Sequence, residues 1–367
     1  MAIGSTTESE GRSEDLTDAG GQQRVSVGVW LLICAALVFG VAVLGGVTRL
    51  EHAGLSITQW EPLAGILPPL SAAEWETEFA YYRQFPEYQL VHQGMDLAGF
   101  KYIFWFEYTH RLLARLVGVV FAIPLLFFWL TKRIEGAFAA KLVVVLVLGG
   151  LQGALGWYMV SSGLVERPDV SHYRLTAHLG LAVLLYAALI WFACSMLVPA
   201  DDEWGVQVSR GFRYATYGSV ALLYLLVLSG GMVAGLDAGF DYNTFPKMDG
   251  RWIPPGLFPP QPFDSVVTVQ FVHRWFGVFV AAYIVFLWGR SVDLRLPDEV
   301  RGSYRWLLLM MAAQGALGIA TLLLAVPVAL GAIHQAGALI VLGIAVAVAY
   351  AVTNARLRPQ PGIHVLP

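Results

Sequence analysis

Four histidines sit inside apolar stretches where an ionisable group is costly: His110, His178, His273 and His334. One such histidine is readily satisfied by a nearby carbonyl or hydroxyl, but four at matching positions point to a shared task. Two imidazoles at equal depth on neighbouring helices can hold one heme iron from opposite faces. The expected pairs are His110 with His178 and His273 with His334. Zinc competes for the same residues, yet it asks for about four ligands around one point. Each pair supplies only two, with no cysteine cluster beside it, and the surrounding Phe, Leu, Val and Gly suit a flat macrocycle better.

The neighbours of these histidines carry the rest of the chemistry. Arg111 and Arg274 each follow a histidine and Arg115 lies one turn further, so all three are candidate contacts for heme propionates, with snorkelling to the interface as the alternative. Glu107 stands three residues before His110, where Gln270 stands before His273. A carboxylate can take up a proton or stabilise a developing positive charge, whereas an amide only hydrogen-bonds. One site is therefore equipped for reaction and the other for holding; an ion pair of Glu107 with Arg111 is the plainer alternative. Gln152 and Gln314, each followed by GALG, read as close-packing positions. His52, His92 and His172 read as solvated loop histidines that could also guide heme entry, and His364 lies in the tail.

The elements that must position these residues are membrane helices. The 367 residues are 57% hydrophobic and 13% charged, with a mean hydropathy of +0.62, outside the range of soluble domains. Eight stretches reach the roughly 20 apolar residues a bilayer requires: Val27–Gly46, Tyr108–Leu130, Leu142–Val160, Leu175–Val198, Tyr214–Leu236, Val266–Trp288, Trp306–Val326 and Val328–Val352. Only Pro327 separates the last two. The polar, acidic segment up to Arg24 reads as a disordered tail and does not fit a signal peptide. The loops of residues 47–106 and 237–265 are rich in Trp, Tyr, Phe and Pro, which predicts a packed lid. Cys34 and Cys194 fall inside helices and offer no disulfide or CxxC pattern. The net charge of −3 and the lack of a basic patch give no reason to expect nucleic acid.

The chain repeats itself in order: GGVTRLEHAG with GGMVAGLDAG, THRLLARLVGV with VHRWFGVFVA, LQGALG with AQGALG, and TAHLGLAVLL with AIHQAGALIV. The expected architecture is an all-α integral membrane protein whose eight transmembrane helices form two tandem four-helix bundles related by a pseudo-twofold along the membrane normal. The boundaries are residues 1–24 (tail), 25–200 (first unit), 201–355 (second unit) and 356–367 (tail). With the N-terminus cytoplasmic, thirteen Lys and Arg fall inside and seven outside, which favours both termini inside. Each of the four histidines then lies within about 10 Å of the outer face, at 1.5 Å per residue.

Taken together, these segments resemble the heme A synthase family in its mitochondrial and related bacterial form. The likeness covers nearly the whole chain from the first helix onward. It rests on GGVTRL, AGLSITQWEPLAGILPPL, EW followed by YYRQFPEY, FKYIFWFEYTHR, GGMVAGLDAGFDYNTFPKMDG and QFVHRW. The resemblance implies oxidation of the C8 methyl group of heme O to a formyl group, giving heme A for cytochrome oxidase. It implies that His110 and His178 flank the substrate heme, that His273 and His334 ligate a heme b cofactor, and that Glu107 is the catalytic glutamate. It further implies a heme O synthase as donor, an electron-transfer partner and a bacterial inner membrane as location, and leaves homo-oligomers open. Some members carry a cysteine pair in the outer loops, and this chain has none there.

Two other functions use the same features. A diheme cytochrome carrying electrons across the bilayer needs hemes near both faces, whereas both pairs here are expected near one. A transporter built from parallel repeats has no evident use for paired histidines at its outer surface.

Overall fold

The computed structural model describes residues 7–59, 64–164, 169–198, 206–294 and 296–357. Its helices are α1 (Thr7–Leu50), α2 (Ala72–Tyr82), α3 (Pro86–Leu90), α4 (Leu97–Leu130), α5 (Gly136–Val160), α6 (His172–Leu197), α7 (Arg210–Gly235), α8 (Val266–Asp293), α9 (Asp298–Leu323) and α10 (Val328–Asn354). Among the described residues eight of them, all but α2 and α3, are long and apolar enough to cross a membrane. Their outer faces are apolar as well: Leu116, Val119, Ile123, Leu126 and Leu130 of α4 are all exposed, as suits a surface turned to lipid. The protein is a multi-pass, all-helical membrane protein.

The long helices pack in two groups. In the first, α1 and α5 each contact α4 and α6; in the second, α7 and α9 each contact α8 and α10. The groups meet through α6 on α7, α1 on α10, and α6 on α10. Trp30 of α1 shows what holds a group together. Its ring lies 5.2 and 5.3 Å from those of Phe121 and Phe128, and its Nε1 donates to the Val120 carbonyl at 2.8 Å, so the one polar atom of a large buried ring is satisfied. Where the groups meet, Gly343 of α10 makes room for the Tyr186 hydroxyl of α6, which a Cβ there would approach to 2.7 Å.

Several boundaries differ from the sequence expectation. Helix α4 begins at Leu97, not Tyr108. Asp96 caps it by accepting from the Gly99 amide at 2.8 Å, and Phe100, Ile103, Phe104, Glu107 and Tyr108 form a buried stripe with helical spacing. Lys101 and the interleaved polar residues hid this stripe from a hydropathy window. The turn between α9 and α10 takes in Leu324, Ala325 and Val326 besides Pro327. There Val326 N bonds back to the Thr321 carbonyl at 2.9 Å, and Ala325 and Val326 both adopt φ of +54°, a left-handed helix stop built without glycine. Helix α1 starts at Thr7, inside the segment expected to be a tail; that segment contains no proline to stop a helix. Arg356–Leu357, expected as tail, pair antiparallel with Val206–Gln207. Residues 358–367, with His364, lie outside the described residues.

The first long loop packs as a lid. Ser71 and Glu74 form a reciprocal cap on α2. Trp75, Phe79 and Tyr82 of α2 pack against Phe100, Ile103 and Phe104 in the stripe of α4, with ring centroids 4.9 Å apart for Trp75 and Phe104 and 5.1 Å for Phe79 and Phe100. Arg49 at the end of α1 pairs with Asp237 after α7 at 2.8 Å, linking the loops of the two groups.

Candidate functional site

Each of the four histidines faces a glycine on the next helix. A Cβ placed on Gly45 of α1 would lie 2.9 Å from His110 Nε2 on α4, and one on Gly230 of α7 would lie 3.2 Å from His273 Cε1 on α8. The same holds for the other two: 2.9 Å from Gly156 of α5 to His178 Cε1 on α6, and 2.7 Å from Gly318 of α9 to His334 Cε1 on α10. Any side chain at these glycines would occupy the space the imidazole uses. Helices α4 and α6 thus carry one histidine each in the first group, α8 and α10 in the second.

Two glutamines expected to serve only packing touch the histidines directly. Gln152 Nε2 is 3.1 Å from His178 Nδ1 and donates to the His178 carbonyl at 3.0 Å. Gln314 Nε2 is 3.0 Å from His334 Nδ1 and donates to the His334 carbonyl at 2.8 Å. Each lies four residues before its facing glycine, so amide and glycine share one helical face. The spacing was legible in the repeated QGALG; its meaning needed the facing helix. On the other side Ser229 Oγ is 2.8 Å from His273 Nδ1.

Glu107 and Gln270 occupy equivalent places with opposite polarity. Both oxygens of the buried Glu107 carboxylate accept: Oε2 from Ser56 Oγ and the Ile57 amide, each at 2.8 Å, and Oε1 from Arg111 Nε at 3.1 Å and Nη2 at 2.5 Å. Gln270 instead donates through Nε2 to the Ala238 and Asp241 carbonyls at 2.6 and 2.5 Å, and accepts from Arg274 Nη2 at 3.0 Å. Both side chains staple a loop to a helix, Glu107 from within α4 and Gln270 near the start of α8, but one does so with a carboxylate and the other with an amide.

The arginines belong to the same staples. Arg111 also donates to the Ile57 carbonyl at 2.9 Å and Arg274 to the Tyr242 and Thr244 carbonyls. Arg274 Nε remains buried without a partner. His172 Nε2 lies 3.0 Å from Asp264 Oδ1, an ion-pair distance without hydrogen-bond alignment. His92 is half-buried, with Nδ1 2.6 Å from the Tyr82 hydroxyl, while His52 is exposed. Burial, with a smaller contribution from the charge of His52, lowers the His92 pKa.

These residues fit a heme. The slots are bounded by glycines that a Cβ would fill, and Gln152 Oε1 and Gln314 Oε1 are buried acceptors without a donor. Among the described residues no three His, Cys, Asp or Glu side chains gather as a metal site would require.

The class defined is a multi-pass helical membrane protein with four glycine-faced histidines, two in each helix group, and a buried carboxylate, Glu107, one turn before the first of them. Residues 28–346 match the family model described as cytochrome oxidase assembly protein. The chain is 49% identical over 323 residues to the heme A synthase of Nitrosospira multiformis, covering 86% of this chain and 90% of that one. It is 46% identical over 334 residues to that of Nitrosomonas eutropha, covering 89% and 93%, and 46% identical over 329 residues to that of Rhizobium meliloti, covering 87% of each. The chain belongs to the cytochrome oxidase assembly protein family.

Proposed function

We propose that this chain is a heme A synthase, which oxidises the C8 methyl group of heme O to a formyl group through an alcohol, formally –CH3 + H2O → –CHO + 4 H+ + 4 e−, with the electrons leaving to an external acceptor. The observation that carries the reading is the asymmetry of two otherwise matched sites: a carboxylate beside His110, an amide beside His273. His110 and His178 hold the substrate in the first group; His273 and His334 hold heme b in the second. Bound there, heme b would supply one-electron transfer to or from an external partner. The groups are read as repeats about a pseudo-twofold along the membrane normal, with both termini cytoplasmic and the histidines near the outer face of a bacterial inner membrane.

Glu107 has two available roles, proton acceptor or fixed negative charge. Its two oxygens are already held by Ser56, Ile57 and Arg111. That disfavours the first and matches the ion pair with Arg111 expected as the plainer alternative; we read the fixed carboxylate as stabilising positive charge developing at the substrate methyl, an effect that its partner guanidinium reduces. For propionates, Arg274 retains a free Nε, whereas Arg111 is committed to Glu107 and loop carbonyls, and Arg115 lies one turn further along α4. The donor is read as a heme O synthase.

The test is to express the chain with a heme O synthase in a host lacking its own heme A synthase and extract the hemes. Heme A in the membranes, with heme b and heme O or A in the purified protein, is expected. Heme b alone, with no heme A made, would favour an electron-transfer cytochrome.

A further inference from the structure

The two histidines on α4 and α8 are not held alike. Ser229, the residue before Gly230, places its Oγ 2.8 Å from His273 Nδ1, and the same hydroxyl donates to the Leu226 carbonyl at 2.7 Å. A hydroxyl has one proton to give. With that proton directed at Leu226, the oxygen lone pairs face Nδ1, which must then carry the ring hydrogen, and Nε2 keeps a free lone pair. In the first group the residue before Gly45 is Leu44, which offers His110 nothing to bond. The histidines on α6 and α10 give no such contrast, since each has the same glutamine contact.

We infer that Ser229 is a positioning residue that makes the second pocket a permanent heme site, and that Leu44 in its place leaves the first pocket suited to a heme that must enter and depart. By accepting from Nδ1, Ser229 fixes the tautomer of His273, sets the ring plane and makes Nε2 a stronger iron donor. Leu44 supplies none of these, so a heme on His110 is held more loosely. A substrate pocket has to release its product, whereas a cofactor pocket does not. The inference rests on the heme assignment proposed above.

The experiment uses the full-length purified protein and follows transfer of heme b to excess apomyoglobin, together with the heme midpoint potential. Ser229→Ala should retain a bis-histidine low-spin spectrum, lose heme b about 10- to 100-fold faster, and show a more positive potential, because a less electron-rich imidazole stabilises ferric iron less. Ser229→Thr should restore both. Leu44→Ser should slow release of heme from the first pocket. Heme loss and potential unchanged in Ser229→Ala would overturn the inference while leaving the heme assignment intact. A low-spin heme b spectrum that survives His273→Ala would overturn both, so the two failures are distinguishable.

Discussion

At the scale of single residues, the opposite polarity of Glu107 and Gln270 decides how the acid should be tested. The repeat makes glutamine look like a tolerated replacement at position 107. The hydrogen bonds say otherwise: an amide nitrogen there would face either the Ile57 amide or the Arg111 guanidinium, donor against donor. Glu107→Gln is expected to abolish heme A formation, with heme O accumulating in extracted membranes, and also to loosen the loop around Ile57. Ser56→Ala provides the control, since it removes one neutral donor and leaves the charge. It should cost about 1 kcal/mol of stability and retain most heme A formation. Equal loss of product in both variants would assign Glu107 to the staple alone. The four histidines stood out in the sequence because costly residues recur in register, and Glu107 because its counterpart in the repeat is Gln270. Ser56, Ser229 and the facing glycines were not, because their meaning depends on which helix lies opposite.

Among the elements, the lid built from α2 and α3 carries a buried acid of its own. Burial first, and the charge of Glu107 second, raise the Glu87 carboxyl to about 8. Its neighbours are Tyr82, 3.1 Å away and itself 2.6 Å from His92 Nδ1, together with Asp169, whose charge adds to the shift. The Tyr82 hydroxyl donates to Glu87 Oε2, a bond that favours the carboxylate and so offsets part of the rise caused by burial. A carboxyl whose pKa is raised by folding stabilises the fold at low pH and loses that contribution as pH rises toward and through about 8. Protection of the amides across residues 72–90, corrected for the intrinsic pH dependence of exchange, should therefore fall as pH rises from about 4.5 to about 8 and level off above it, and Glu87→Gln should flatten the dependence; an unchanged profile would show that Glu87 does not control the lid. The turn between α9 and α10 offers a second test. Ala325 holds a positive φ that costs an L-residue about 1 kcal/mol, so Ala325→Gly should raise the melting temperature in detergent. Helix identities were legible from apolar runs, but these details were not. The start of α4 is set by packing against α2, and the helix stop before Pro327 uses residues with no turn signature.

For the whole molecule, orientation is the open quantity that a simple measurement fixes. The loop between α3 and α4 offers exposed Gln93, whereas Glu87 nearby is buried and unsuitable for labelling. Gln93→Cys should react with a membrane-impermeant maleimide added to right-side-out vesicles, as the basic-residue asymmetry predicts; reaction only after permeabilisation would invert the protein. The four glycines opposite the histidines bear on the same whole-molecule scale. Because the clearance at each is set by one imidazole, a single added methyl group becomes an address that reaches one ligand and no other. Alanine at Gly318, Gly45 or Gly156 must turn its ring aside, while alanine at Gly230, where the approach is 3.2 Å, asks for a smaller shift. On the proposed heme assignment, each histidine can thus be displaced singly without altering any group that does chemistry, and the order in which heme is lost from the four variants would read which pocket holds which.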